Sequence, residues 1–490
     1  MLTFTLFLPL VGALFILFFV NTPRTVRAVA LLIALVEMVL ASVVFWTVSQ
    51  DGSGSFQLVE KIAWIQSLNI QYFLGVDGLS APLILLTGLL TPCAVFASWY
   101  VEDRVKEHFF WMLTLITAVM GVFMALDLVL FFVFWELELI PMYFLISIWG
   151  TGRKEYSAMK FLIFTIAGSA FMLIGILVVF LSSGTFDMTE LAGSTLTNLL
   201  IPTQLVFVLF FIAFAIKLPV WPVHTWLPDA HTDAPTAGSV ILAGVLIKMG
   251  GYGLIRINVA MFPEVTREYA WVIVGLALVS VIYGAIVTLR QSDLKRLIAY
   301  SSVSHMGLVL LGIASLGAGK SAVTSVGLNG SAMQMFTHGT ITGLMFLVVG
   351  QIYLRTHTRF IPDLGGLIVK MPFLCAALVV SGLASLGLPG LSGFVSEALV
   401  FLGAFHVWPW PVAVCVFGIV LTAGYILWMI QRVIFGPESG KFSEITDARL
   451  PEIVPVVLLV ASILAVGLYP AVISDVFSST LSPLISTRFG

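Results

Sequence analysis

Apolar residues run through this chain in blocks of about 20, the length a helix needs to cross the hydrocarbon core of a bilayer. Fourteen blocks recur, near 2–20, 28–49, 78–100, 109–126, 128–149, 160–182, 204–220, 234–255, 270–289, 297–315, 331–354, 372–403, 410–431 and 452–474. The fourth and fifth almost touch, but together they are far too long for one crossing. The polar stretches between blocks, the longest near 50–77, 183–203 and 432–451, are too short to fold alone. They leave no room for a nucleotide, flavin or iron–sulfur domain. The pattern predicts one all-α polytopic membrane domain over 1–490. The opening run MLTFTLFLPLVGALFILFFV has no basic leader and no small-residue cleavage site, so it is expected to be the first membrane helix and not a removed signal.

Composition strengthens this picture. Of 490 residues, 60% are apolar and only 10% charged, where soluble proteins carry about 25%. Mean hydropathy is +1.09. When the loops are assigned to alternating sides, most of the 23 Lys and Arg fall on one side. Only Lys61, Arg256, Arg267, Lys320 and Arg488 fall on the other, and Lys217 and Lys248 lie within spans. The positive-inside rule then places both termini on the non-cytoplasmic side. No basic run is long enough for nucleic acid. Cys93, Cys375 and Cys415 are isolated in apolar runs, which excludes a CxxC metal or iron–sulfur motif.

The informative residues are the charges inside the spans. An ionisable side chain at mid-membrane costs about 2.5–3.5 kcal/mol on insertion scales and is a functional candidate by default. In FFVFWELELIPMYFLI, Glu136 and Glu138 are two apart and point about 200° from each other on an ideal helix. One is expected to face the interior, the other a neighbouring helix or subunit. In FFIAFAIKLPVWPVHTWLPDAHTDAP, Lys217 precedes Pro219 and Pro222, which break the helix. Irregular backbone at membrane depth survives only where protein or water covers it. His224, Asp229 and His231 follow, suited either to proton uptake or to packing. Lys248 lies within ILAGVLIKMGGYGLIRI among glycines that permit close helix approach. In SGLASLGLPGLSGFVSEALV, Glu397 follows a second break at Gly387, Pro389, Gly390 and Gly393. His305 and His338 sit mid-span beside Ser and Thr, and histidine changes charge near neutral pH. The competing readings are ordinary: packing ion pairs, a lysine snorkelling to the interface, and hydrogen-bonded core histidines. No spacing suits a metal.

The two broken spans, the seventh and twelfth, are five apart. Spans 4–8 and 9–13 are then expected to be five-helix units, inverted because five is odd. Inverted repeats with discontinuous helices mark an ion pathway at the midplane. The expected layout is a peripheral segment 1–108, a first repeat over 109–255, an inverted second repeat over 270–431, and a last helix at 452–474.

At WELELIPMYFLISIWG, KLPVWPVHTWLPDAHTDAPTAGSVILAGVLIKMGGYG, LKRLIAYSSVSHMG and GLPGLSGFVSE, the chain resembles the antiporter-like membrane subunits of respiratory complex I. The similarity is to the subunit M or chain 4 type and covers nearly the whole length. It implies a fourteen-helix core and a proton-translocating role in the membrane arm of an NAD(P)H- or ferredoxin-driven quinone oxidoreductase. The chain itself would hold no cofactor; flavin, iron–sulfur clusters and quinone would belong to partner subunits. Subunits of the L and N types, small membrane subunits and the lipid bilayer are the implied neighbours. The resemblance assigns Glu136 as the fifth-helix glutamate paired with Lys217, Lys248 as the central lysine and Glu397 as the outward glutamate. His305 and His338 would complete the relay. WELELIP is similar to the photosynthetic and plastid versions and HTDAPTAGSVILAG to respiratory bacterial ones. Either a bacterial inner membrane or a cyanobacterial or plastid thylakoid is therefore expected. An end soon after span fourteen sets the chain apart from subunit L, which carries a long lateral helix. The alternative is a subunit of a multisubunit cation/proton antiporter or a membrane-bound hydrogenase.

Overall fold

A computed structural model describes residues 1–194, 196, 199–317, 324–437, 440–442 and 445–489. Lys320, one of the side-assigning charges, lies outside the described residues. Eleven long apolar helices cross the molecule: α1 (Leu2–Phe19), α2 (Pro23–Asp51), α4 (Val105–Met124), α5 (Leu128–Trp149), α6 (Lys154–Ser183), α8 (Thr236–Val259), α9 (Ala270–Leu289), α10 (Leu294–Gly317), α11 (Val326–Thr356), α13 (Pro409–Val433) and α14 (Leu450–Leu468). Shorter apolar helices supply the rest: α3 (Ala81–Ala97), α7a (Thr203–Lys217), and the pair α12a (Pro372–Ser385) and α12b (Ser392–Phe405). Counting that pair as one interrupted crossing gives the fourteen that the sequence predicts.

The helical state follows from the solvent. Lipid offers no partner for a backbone N–H or C=O, so each crossing must satisfy its own. Local signals set the ends. Thr22 caps α2 by accepting from the Thr25 N–H (3.3 Å), with Pro23 in the first turn and Gly52 at φ 59° beyond the last. Asp127 accepts from the Val129 and Leu130 N–H groups at 2.9 and 3.1 Å to start α5.

Burial divides the helices. α8, α10 and α11 are enclosed almost throughout, whereas α1, α2, α6, α9, α13 and α14 turn broad apolar faces outward. The enclosed helices are the ones that carry Lys248, His305 and His338. As expected, the seventh and twelfth crossings are interrupted. α7a stops at Lys217, and the chain resumes as α7b (Trp226–Asp233). Between α12a and α12b, Gly387 and Gly390 hold φ of 76° and 91°, conformations that glycine adopts without steric cost.

Three features depart from the pattern read in the sequence. Residues in the 50–77 stretch form an antiparallel hairpin, β1 (Gln57–Ile65) and β2 (Ile70–Val76), added to an otherwise all-α architecture. It turns at Asn69, which is left-handed (φ 56°), and Lys61 on it pairs with Asp187 at 2.8 Å. The chain does not end its structure near 474. A further helix, α15 (Ala471–Arg488), rich in serine, runs against the hairpin side, where Thr480 accepts from the Gly78 N–H at 2.8 Å. Finally, α5 is broken in its middle. Its helical hydrogen bonding lapses at Glu138, because Pro141 has no N–H to give the Leu137 carbonyl.

Candidate functional site

That break decides which carboxylate meets the lysine. Lys217 ends α7a with its side chain 1% exposed, and its ammonium forms a direct ion pair with Glu138, which is fully buried. Trp135 and Phe161 present their rings to the ammonium at 5.4 and 5.5 Å, an attraction of cation to π-face. The C-terminal end of α7a adds its partial negative charge. The expectation that Glu136 is the contact partner is therefore corrected. Glu136 is only partly buried and leaves a carboxylate oxygen without a hydrogen-bond partner. On an unbroken helix the two acids would diverge by about 200°. The kink at Glu138 lets one of them touch the ammonium.

The second centre is built around Lys248. Its turn of α8, Ile247–Gly253, is flanked by two π-helical stretches, Leu242–Leu246 and Leu254–Val259. Such widened turns free backbone carbonyls and recur at functional sites. The Lys248 ammonium uses one of them, the Ala243 carbonyl, and donates as well to His338 Nδ1 at 2.8 Å. Both acceptors are neutral, and no carboxylate contacts this lysine among the described residues.

From Lys248 a file of titratable side chains continues. The His338 and His305 rings lie 5.5 Å apart between centroids. His305 Nε2 lies 3.7 Å from Glu397 Oε1. The same ring has Nδ1 2.7 Å from the Ser301 carbonyl and Nε2 3.0 Å from the Ser385 carbonyl. A neutral imidazole carries one N–H and serves one of these; the doubly protonated ring serves both. The second break shapes the far end. A Cβ on Gly387 would sit 2.5 Å from Glu397 Oε2, and its φ of 76° favours glycine, so the loop lies close against that carboxylate. His338 Nε2 has no partner among the described residues, leaving it free to exchange a proton.

The two centres abut. A Cβ on Gly250, one turn-side neighbour of Lys248, would meet the Phe214 carbonyl and Leu218 nitrogen at 2.6 Å. The backbones of α8 and the α7 break therefore touch beside both lysines. Toward the α7b side, Asp229 is tied to Lys160 (2.7 Å) and Arg296 (3.2 Å) and so serves as a structural anchor. His231 stacks on Phe346 (4.6 Å) and feels the charges of Lys295 and Lys248. His224 packs edge-on to Tyr283 at 5.2 Å. The ring nitrogens of His231 have no hydrogen-bond partner among the described residues.

Of the six relay residues expected from the sequence, four (Lys248, His338, His305 and Glu397) are brought into one file. Lys217 is placed beside that file, and Glu136 stands apart from direct contact. Sequence reasoning underweighted Glu138, although Pro141 was the signal for the kink. It passed over Glu37, a charge at the centre of span two.

A polytopic helical membrane protein with two interrupted crossings and a buried file of acids and bases is an ion translocator in class. Comparison with known proteins narrows this. Residues 125–422 match the family model described as NADH:quinone oxidoreductase/Mrp antiporter, TM. The NAD(P)H-quinone oxidoreductase chain 4 2 of Thermosynechococcus vestitus is 42% identical over 99% of this chain and 91% of its own length. The NADH-quinone oxidoreductase subunit M of Rhodobacter capsulatus is 40% identical over 94% of this chain and 91% of its own. A chain in the structure of respiratory complex I from Thermus thermophilus with bound NADH superposes with a TM-score of 0.89 at 30% identity, covering 100% of this chain and 99% of that one. The chain belongs to the NADH:quinone oxidoreductase/Mrp antiporter transmembrane family.

Proposed function

We propose that the chain is the antiporter-like, proton-translocating membrane subunit of a complex I-type quinone oxidoreductase, of the subunit M or chain 4 kind. The observation that carries this reading is the file of buried groups Lys248, His338, His305 and Glu397 beside the Lys217–Glu138 ion pair. The membrane is a bacterial inner membrane or a thylakoid, with both termini on the non-cytoplasmic side. Subunits of the L and N types and small membrane subunits flank the chain. Electron transfer, with its flavin, iron–sulfur clusters and quinone, takes place in partner subunits.

The proton path uses groups in this chain alone, and a neighbouring subunit drives it. With the pair closed, Glu138 neutralises the Lys217 ammonium. When a neighbouring subunit draws the ammonium from Glu138 toward Glu136, the field at the adjoining Lys248 changes. Lys248 Nζ then passes a proton to His338 Nδ1. Imidazole takes a proton at one nitrogen and releases another from the opposite one, so His338 Nε2 hands a proton on toward His305. His305 delivers to Glu397, and Glu397 releases it outward. Lys248 is reloaded by way of His231. The pair is the two-state element, and its charge is what couples it to the file.

Replacing Lys217 by Ala in the assembled complex is expected to abolish most quinone-linked proton translocation in sealed vesicles. Pumping at the parent rate would refute the role. A second reading, subunit of a cation/proton antiporter, draws support from the family's inclusion of Mrp antiporters. Sodium-driven exchange by a purified assembly without redox subunits would favour it.

A further inference from the structure

Glu37 is the one acidic residue in the middle of α2, fourteen positions from the helix start at Pro23 and fourteen from its end at Asp51. The outer face of α2 exposes Leu32, Leu35, Val36, Val39 and Trp46. The inner face, Ala30, Ile33, Ala34, Glu37, Ala41 and Val44, is buried, and Glu37 is 0% exposed. Neither carboxylate oxygen has a hydrogen-bond partner among the described residues, and no cation pairs with it. A bare carboxylate sealed from water in this way is untenable; the neutral acid is not.

The helix it packs on has an unusual feature at the same place. Gly88 of α3 is seated against α2 so closely that a Cβ there would lie 2.5 Å from Ala41 Cβ and 3.5 Å from the Glu37 carbonyl. Pro92 lies inside α3 and cannot give an N–H to the Gly88 carbonyl. The Gly88 carbonyl, an acceptor deprived of its helical donor, is thus on the turn that meets α2. A protonated carboxyl can donate to such an acceptor, and a carboxylate cannot.

The other faces of α3 reach the relay. Leu90 fills the space that a side chain on Gly244 would take (2.3 Å), within the π-helical stretch of α8 that supplies a carbonyl to Lys248. Leu86 does the same at Gly339, next to His338 (2.6 Å). One helix therefore joins the turn packed on the Glu37 backbone to glycines beside both partners of the Lys248–His338 hydrogen bond.

We propose that Glu37 is an additional proton-binding site, outside the relay file, whose protonation sets the seating of α3 and through it the Lys248–His338 contact. The proposal rests on the proton-translocating role argued above. With the proton on, the acid bridges α2 to α3. With the proton off, the charge forces the interface to admit water or part, and Leu86 and Leu90 shift against Gly339 and Gly244.

A hydrophobic carbodiimide tests it. A protonated buried carboxyl adds across the reagent's C=N bond: its oxygen bonds to the central carbon, its proton goes to nitrogen, and nothing leaves. In the parent complex in sealed vesicles, mass spectrometry of the α2 peptide is expected to find the adduct on Glu37, with its rate changed at least twofold by quinone turnover. In the same vesicles, Glu37→Gln is expected to reduce protons moved per quinone at least twofold, and Glu37→Asp to restore most of that loss. No labelling of Glu37, or labelling indifferent to turnover, overturns the proposal, even where Glu37→Gln fails to assemble. Parent-level pumping by an assembled Glu37→Gln complex also overturns it. Those outcomes leave the relay standing if Lys217→Ala has lost pumping; a Lys217→Ala complex that pumps fells the relay itself.

Discussion

Replacing Glu138 by Gln keeps the volume of the side chain and removes only its charge. At a hydrogen-bond separation of about 3 Å and an effective dielectric of about 20, the attraction lost is about 5–6 kcal/mol. The Lys217 ammonium would remain 1% exposed, with two aromatic rings as its remaining company. Removing one partner of a buried pair costs about 3–5 kcal/mol, because the other charge is stranded. Replacing both, as Glu138→Gln with Lys217→Met, removes that stranded charge. The double variant should therefore be more stable than Glu138→Gln alone. Glu136→Gln touches no ion pair and should cost no more than about 0.5–1 kcal/mol, yet it should still impair pumping, since the ammonium then lacks its second position. The assay is a thermal or denaturant midpoint for dissociation of the assembled complex, read beside proton movement in vesicles made from the same preparation. If Glu138→Gln costs no more than Glu136→Gln, or if the double variant's loss is the sum of the singles, the pairing assigned here is wrong.

Three other perturbations follow from the same structure. Gly250→Ala places a methyl 2.6 Å from backbone atoms of Phe214 and Leu218, so it should destabilise the complex by about 1–3 kcal/mol by overpacking, checked by the same midpoint. His338→Phe fills the ring's space but removes the Nδ1 acceptor of Lys248; assembled amounts should be near normal while quinone-linked pumping falls at least tenfold. Outside the membrane, burial pushes the Asp187 carboxyl up, but the Lys61 ammonium, the Thr189 hydroxyl and the Thr189 and Glu190 N–H groups outweigh it and hold it below the usual range. A depressed folded-state value stabilises above the ordinary Asp pKa and is lost as pH falls through the lowered one. Lys61→Ala should thus lower the dissociation midpoint at neutral pH, and its difference from the parent should vanish as pH falls through the lowered value.

The crossings were legible because lipid demands about 20 apolar residues per helix, and the proline and glycine clusters at 219–222 and 387–393 announced the two interruptions. What was not legible had different causes. The widened turns around Lys248 contain no proline and arise from packing between α8, α3 and α11, which one sequence does not reveal. α15 is a serine-rich helix, too polar to register on a hydropathy scan. The hairpin was hidden by treating 50–77 as a loop, although its branched and aromatic residues, with Asn69 between them, were a strand-and-turn signal. The choice between Glu136 and Glu138 failed for a geometric reason. Spacing left open which acid faces inward and the resemblance assigned Glu136, whereas the lapse of the helix at Glu138 puts that carboxylate on Lys217. Glu37 required only that the test for mid-span charges be applied to the second block as strictly as to the fifth.

The file from Lys248 to Glu397 is the centre of the account, and its last member offers the most direct test. Glu397→Gln keeps the shape beside Gly387 and His305 but leaves no carboxylate to receive a proton. Proton release should be followed with a pH-sensitive dye in vesicles during a burst of quinone reduction. The account predicts that the variant complex assembles and loses most of the protons moved per quinone. Proton release equal to the parent's, with Glu397 replaced, would contradict it.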